Sequence, residues 1–229
     1  MIQRDFQKRW GSISVIEPLI VYAVLFFPDL ASLGAAGGAV SGIETGKVIF
    51  FSSRREITRI VGYDFPALLL LWYLAFMRGR KLFPLKIRAG DVQSLAIALP
   101  GLLGIGLAVS VLAPLVYPSA EGFSVEAPRG VIPCLVMLLS CLSTGYLEET
   151  YFRHYLLSRF EETGANTILG IAISVALFSL SHFYEGFWGM INAVLAGLLL
   201  SLIYRRYGVL HGIAWAHGLY NAFIYATGI

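Results

Sequence analysis

The sequence predicts an all-α fold, a polytopic transmembrane helix bundle of about seven to eight spans. Three observations lead there. The chain of 229 residues is 57% hydrophobic but only 14% charged, against about 25% charged in ordinary soluble domains. Its mean hydropathy of +0.73 is too apolar for a water-soluble globule of this size. Several continuous apolar stretches approach the roughly 20 residues that a helix needs to cross a ~30 Å hydrocarbon core. The same continuity excludes a transmembrane barrel, whose strands alternate in segments of about ten residues.

Taken in order, the first span is expected near 13–33, after Arg4, Lys8 and Arg9. A basic start followed by an apolar run imitates a signal peptide. Glu17 and Asp29 within the run, and the lack of a clear small-residue cleavage site, favour a retained anchor. Gly34 to Gly46 reads as a glycine-rich connector. From Glu44 to Ile60, charges mix with Val48, Ile49, Phe50 and Phe51, which suits an interfacial helix better than a crossing. Further spans are expected near 62–77, 92–116, 130–147, 166–184, 187–204 and 208–227. Ile132 to Phe160 reads as one long helix whose second half turns polar. There is no obvious repeat and no low-complexity tail. The expectation is a single integral membrane domain over 1–229, with the chemistry on helices within 130–229.

The formal charge of +3 is small, and its placement matters more. Arg78, Arg80, Lys81, Lys86 and Arg88 form the densest basic block, between two spans, where nucleic acid is a poor partner. The positive-inside rule explains the block better. It sets an integral, multi-pass topology with the N-terminus cytoplasmic and the C-terminus outside. Glu121 and Glu126 are then outside, and Arg153, Arg159, Arg205 and Arg206 inside. Cys134 and Cys141 share one predicted helix, where their Cα atoms lie roughly 10 Å apart and beyond disulfide reach.

Small residues recur every fourth position in two of the last helices. Gly189, Ala193, Gly197 and Ser201 form one stripe, which permits close backbone approach. Gly170, Ser174, Phe178 and His182 form another, which aims His182 at a packed helix neighbour.

Against this apolar background the tract Tyr146-Leu147-Glu148-Glu149-Thr150-Tyr151-Phe152-Arg153 stands out. Ionisable groups inside a bilayer are costly and mark functional sites by default. Glu149 and Arg153 share a helix face at i, i+4 and can pair, while Glu148 points about 100° away. One carboxylate is thus neutralised and the other free for chemistry. As a plain alternative, the doublet only begins the polar half of a helix. His182 follows Phe178 by one turn, so the phenyl ring can brace the imidazole, and Ser179 and Ser181 offer local partners. His217 and Asn221 share a face near the middle of the final span, where they could also serve as polar glue between helices. Together the groups supply what peptide hydrolysis needs. A carboxylate and an imidazole can activate water, and a second imidazole and an amide can donate to an oxyanion.

Glu148-Glu149-x-x-x-Arg153, Phe178-x-x-x-His182 and His217-x-x-x-Asn221, in that order on successive helices, resemble the CAAX protease and bacteriocin-processing family. These are the type II CAAX-protease-like intramembrane glutamic endopeptidases. The resemblance covers roughly Ile132 to Ala226. It implies that Glu148 and His182 activate the attacking water, that His217 and Asn221 stabilise the oxyanion, and that Glu149 and Arg153 support them. It implies no cofactor and a metal-free mechanism. A glutamate and two histidines are a recognised zinc set, but the chain has no His-Glu-x-x-His pair. The implied partner is a membrane-anchored protein or peptide, lipidated or bearing a C-terminal sorting signal, within the bilayer. One departure is His154, where many relatives have glycine after the arginine; it bears on cavity shape and substrate. His211 and Asn192 are further polar groups that could touch substrate, and Trp188 and Trp215 read as interfacial or packing aromatics.

The competing class is a non-enzymatic membrane protein, an immunity factor or small-solute transporter using the same polar cluster. A transporter more often shows broken helices or an inverted repeat, and neither is visible. One tension remains in the spans as drawn: vertical helices put Glu148 and His182 at opposite ends of their spans. Either the boundaries shift by several residues, the helices tilt strongly, or the constellation is not a single site; shifted boundaries are the favoured reading.

Overall fold

The computed structural model describes residues 16–26, 48–77, 86–116 and 124–227. The glycine-rich connector at Gly34–Gly46 lies outside these residues, as do Arg4, Lys8, Arg9, Asp29, Arg78, Arg80, Lys81 and Glu121.

The architecture is a helical membrane bundle. Helix α1 (Ile16–Phe26) is followed by strand β1 (Val48–Phe50). Helix α2 (Ser53–Arg59) runs through a π turn (Ile60–Asp64) into α3 (Phe65–Met77). Helix α4 (Ala89–Val116) precedes β2 (Ser124–Glu126), which pairs in parallel with β1. Then come α5 (Val131–Glu149), a second π turn (Thr150–Leu156) and α6 (Leu157–Glu162). Helix α7 (Thr167–Ser181), a 3-10 turn (Phe183–Glu185), α8 (Gly186–Tyr207) and α9 (His211–Thr227) complete the chain.

Four of these runs are long and apolar enough to cross a bilayer: Ser53–Phe76, Ala89–Val116, Val131–Glu162 and Phe183–Tyr207; Ile16–Phe26 and Thr167–Ser181 are shorter apolar helices. Outward side chains match a lipid surround, as Leu107, Val111 and Leu115 on α4 are all more than half exposed. This is an integral membrane protein.

Two sequence expectations are corrected. Among the described residues of the stretch 44–60 there is no separate interfacial helix: Val48–Phe50 form a strand and Ser53 begins α2. Ser52 accepts from the Arg55 amide and starts a helix that enters the span without a break, so Glu56 and Asp64 are buried inside the bundle. The span drawn as 130–147 ends too early, whereas the reading of Ile132 to Phe160 as one long helix holds, because the helical run continues through the π turn to Glu162. This second correction removes the depth mismatch. Measured from the turn at Thr163–Asn166, Glu148 lies 14 residues up one arm, about 21 Å. His182 lies 15 residues beyond the start of α7, about 23 Å up the other.

Two apolar clusters flank the centre. One joins α1, α3, the second π turn, α7 and α8 through Tyr22, Phe26, Leu71, Tyr151, Phe152 and Phe178. The other joins α4, α8 and α9 through Ala98, Leu102, Leu200, Ile213 and Tyr220. Helix α8 ends where Gly208 adopts φ 63°, its N–H bonding the Tyr204 carbonyl at 2.8 Å, which turns the chain back into α9. Helices α5 and α9 touch backbone to backbone. A Cβ on Gly145 would sit 2.7 Å from the Ala214 carbonyl oxygen, and one on Gly218 would sit 2.7 Å from Leu142 Cα. Only glycine fits at such a crossing, and it places the end of α5 against the middle of α9.

Candidate active site

That crossing brings the Glu148–Glu149 doublet to His217. Glu149 is fully buried and lies one turn before Arg153, which is also fully buried. Arg153 Nη1 donates to Glu149 Oε1 at 2.9 Å, the i, i+4 pair expected from spacing. The same oxygen accepts from His217 Nδ1 at 2.8 Å. A carboxylate oxygen only accepts, so Nδ1 carries the proton and Nε2 is the open ring nitrogen. Nε2 faces Glu148 Oε2 at 3.6 Å, beyond hydrogen-bond length. Glu148 Oε2 is buried and has no hydrogen-bond partner among the described residues. The π turn widens the helix just after the doublet, a feature that recurs at functional sites. Within it, the Phe152 carbonyl accepts from Ser174 Oγ at 2.9 Å, which ties the turn to α7.

Both terminal nitrogens of Arg153 and its guanidinium face are engaged, while its buried Nε has no hydrogen-bond partner among the described residues. Its Nη2 donates to the Gly197 carbonyl at 3.3 Å, and its guanidinium carbon lies 4.4 Å from the Phe178 ring centroid. Gly197 is needed there because a Cβ would stand 3.0 Å from Phe178 Cδ1 and 3.4 Å from Arg153 Nη2. The two small-residue stripes therefore do meet, with Gly197 of α8 against Phe178 of α7. A desolvated arginine over an aromatic face gains a cation–π attraction of about 2 kcal/mol.

Phe178 also organises the two imidazoles. Its ring centroid lies 4.5 Å from that of His182 and 5.8 Å from that of His217. His182 caps α7, and its Nδ1 lies 2.8 Å from the Phe178 carbonyl oxygen. A carbonyl only accepts, so Nδ1–H donates and Nε2 keeps its lone pair. Among the described residues, His182 contacts Phe178, Ser181 and Tyr184 of its own segment. The stripe thus presents Ser174 and Phe178 to neighbouring elements, while the cap turns His182 back over its own last turn.

The structure brings Glu148, Glu149, Arg153 and His217 into direct contact. Among the described residues, no hydrogen bond or ion pair joins Glu148 to His182; the link runs through the Phe178 ring. Asn221 lies one turn beyond His217 on α9, half-buried and without a hydrogen bond among the described residues. Asn192 pairs with Tyr220 Oη at 3.2 Å, His211 with Tyr146 Oη at 2.9 Å, and His154 with Tyr204 Oη at 2.9 Å. Trp215 stacks on His211, and Trp188 packs on Phe187. Cys134 and Cys141 are free thiols.

One polar group was not anticipated from the sequence. Glu56, Arg59 and Asp64 fold against Ser140 and Thr144 of α5, on the turns that lead to Glu148. The available signal was Glu56-x-x-Arg59 at helical spacing, followed by an aspartate inside an apolar run.

Residues 130–223 match the family described as Type II CAAX prenyl endopeptidase Rce1-like. That stretch contains Glu148, Glu149, Arg153, His182, His217 and Asn221. No curated protein and no solved structure matches the chain.

Proposed function

We propose that this chain, whose residues 130–223 carry the Rce1-like CAAX protease signature, is an intramembrane glutamic endopeptidase. It hydrolyses a peptide bond in a membrane-anchored protein or peptide. The observation that carries the reading is His217, buried between Glu149 at 2.8 Å and Glu148 at 3.6 Å beside Arg153. Ionisable groups at such depth are retained for chemistry rather than stability.

Glu148 and His182 act on water. Glu148 offers an unbonded carboxylate oxygen, and His182 offers the Nε2 lone pair left by its bond to Phe178. Water adds to the scissile carbonyl carbon as its proton passes to one of these bases. The negative charge moves onto the carbonyl oxygen, where the Asn221 amide and the Nε2 edge of a protonated His217 donate to it. The proton then passes to the leaving nitrogen, the C–N bond breaks, and the products are a carboxylate and an amine. Glu149 and Arg153 never touch the reacting atoms in this scheme. They fix the ring of His217, so its open edge faces Glu148. The basic residues of the sequence support a cytoplasmic N-terminus in this reading.

The test uses the purified protein in lipid nanodiscs with a synthetic peptide prenylated near its C-terminus. Mass spectrometry should show a new C-terminal carboxylate that takes up one oxygen from H2¹⁸O. Glu148→Gln and His182→Ala should abolish the product while the protein still inserts and folds. An intact peptide with the parent protein, or cleavage that survives Glu148→Gln, would overturn the assignment.

A further inference from the structure

Hydrolysis inside a bilayer needs water, and the polar seam between α2 and α5 leads from a cavity to the turn before Glu148. A cavity of about 640 Å³, broadly open to the surface, lies beside α2 and is lined among the described residues by Ser52, Arg54, Arg55, Thr58, Arg59, Gly62 and Tyr63. Arg59 belongs to both cavity and seam. Its Nη1 donates to Thr144 Oγ1 at 2.6 Å and lies 3.5 Å from Asp64 Oδ1. Its Nη2 reaches the Ser140 carbonyl at 3.3 Å and the Ser140 hydroxyl. Ser140 Oγ in turn donates to Glu56 Oε2 at 2.6 Å.

Ser140, Thr144 and Glu148 are each four residues apart, so one face of α5 carries two hydroxyls and then the carboxylate. Asp64 closes the seam from the other side. It is fully buried and ion-paired to Arg59 at 3.5 Å, with Ser143 beside it, yet neither carboxylate oxygen has a hydrogen bond of ordinary geometry among the described residues. A buried carboxylate with unfilled acceptor positions is a place where water is held. Apolar packing would join α2 to α5 at far lower cost than two acids and an arginine. Helix packing alone therefore leaves this composition unexplained, whereas a hydrated path requires it.

We propose that the α2 cavity and the Arg59–Asp64–Thr144 seam form the route by which water reaches Glu148. The inference rests on the hydrolytic reading for its purpose but makes a claim about solvent access that is measured without any substrate. Arg59 is the gate of this route, since its guanidinium spans the space between the cavity and Thr144. Gly62 lines its open side: a Cβ there meets nothing within 4 Å among the described residues, so a large side chain can be introduced beside Arg59.

The experiment is aqueous thiol labelling in nanodiscs, on a background with Cys134→Ser and Cys141→Ser. Thr144→Cys is treated with the membrane-impermeant anionic reagent sulfonatoethyl methanethiosulfonate. Leu139→Cys, on the lipid-facing side of α5 at 60% exposure, is the control. Thr144→Cys should label at least tenfold faster than the control, and adding Gly62→Trp should remove most of that advantage. With a cleavable peptide, Gly62→Trp should also lower kcat with KM little changed. Ser143→Cys provides a second reporter if Thr144→Cys folds poorly. Labelling at the control rate at both positions, or labelling indifferent to Gly62→Trp, overturns the route whatever the peptide assay returns. Labelling as expected from a parent protein that cleaves no peptide supports the route and overturns the hydrolytic reading instead.

Discussion

His217 and Arg153 share one oxygen: Glu149 Oε1 accepts from His217 Nδ1 at 2.8 Å and from Arg153 Nη1 at 2.9 Å. Three elements, α5, the π turn and α9, thus meet at a single buried atom. Losing one member strands the others in a medium that cannot solvate them.

Glu149→Gln should therefore destabilise the protein, since breaking a buried ion pair from one side costs about 3–5 kcal/mol. Glu149→Gln with Arg153→Met should recover part of that loss, because the unpaired guanidinium is then gone. Unfolding midpoints in one detergent measure both. A double variant no more stable than the single would show that the arginine is not the stranded charge.

The α5–α9 crossing has no room for a methyl group. Gly145→Ala would bring Cβ to 2.7 Å from a backbone oxygen that cannot rotate away. Overpacking of this kind costs about 1–3 kcal/mol, and it moves His217 away from the doublet. Reduced thermal stability and loss of peptide cleavage are both expected. Gly62→Ala, in open space, should change neither by a comparable amount.

Asn221→Ala removes a donor without creating a buried clash. The expected effect is a fall in kcat of about 10²–10³ with KM nearly unchanged, the behaviour of an oxyanion donor. Steady-state kinetics on a prenylated peptide decide it. A rise in KM alone would make Asn221 a substrate-binding residue instead.

Helix α1 lies outside the matched family region, yet it braces the π turn. Tyr151 Oη donates to the Pro18 carbonyl at 2.7 Å, Tyr155 Oη donates to Glu17 at 2.7 Å, and Arg159 lies 3.2 Å from the same carboxylate. Glu17→Ala should cost about 1–3 kcal/mol by removing the acceptor of Tyr155 and one carboxylate partner of Arg159, which retains Glu162. Its effect should appear in thermal unfolding first, and in kcat only through the folded fraction.

Much of the site was legible because its residues obey helical spacing. Glu149 and Arg153, Phe178 and His182, and His217 and Asn221 each announce a shared face. What spacing cannot give is which faces meet. That His217 reaches both carboxylates follows from the Gly145–Gly218 contact, a relation between helices that no local period encodes. The π turn at Thr150–Leu156 was equally invisible, since it has no residue signature of its own, although the long run from Ile132 to Phe160 that contains it was legible. Glu56 and Arg59, within the stretch read as interfacial, and Asp64, passed over inside an expected span, were missed for a different reason. Charges near the start of a span look interfacial until the partner helix is known to supply Ser140 and Thr144.

The central claim is that Glu148 activates water for cleavage of a membrane-anchored chain. The most direct measurement compares C-terminal peptides of membrane proteins, by mass spectrometry, in cells expressing the parent protein and the Glu148→Gln variant at equal levels. The account predicts a reproducible set of shortened C-termini that disappears, with the full-length termini restored, in the variant. Identical termini in both cells, at matched expression and membrane insertion, would contradict it.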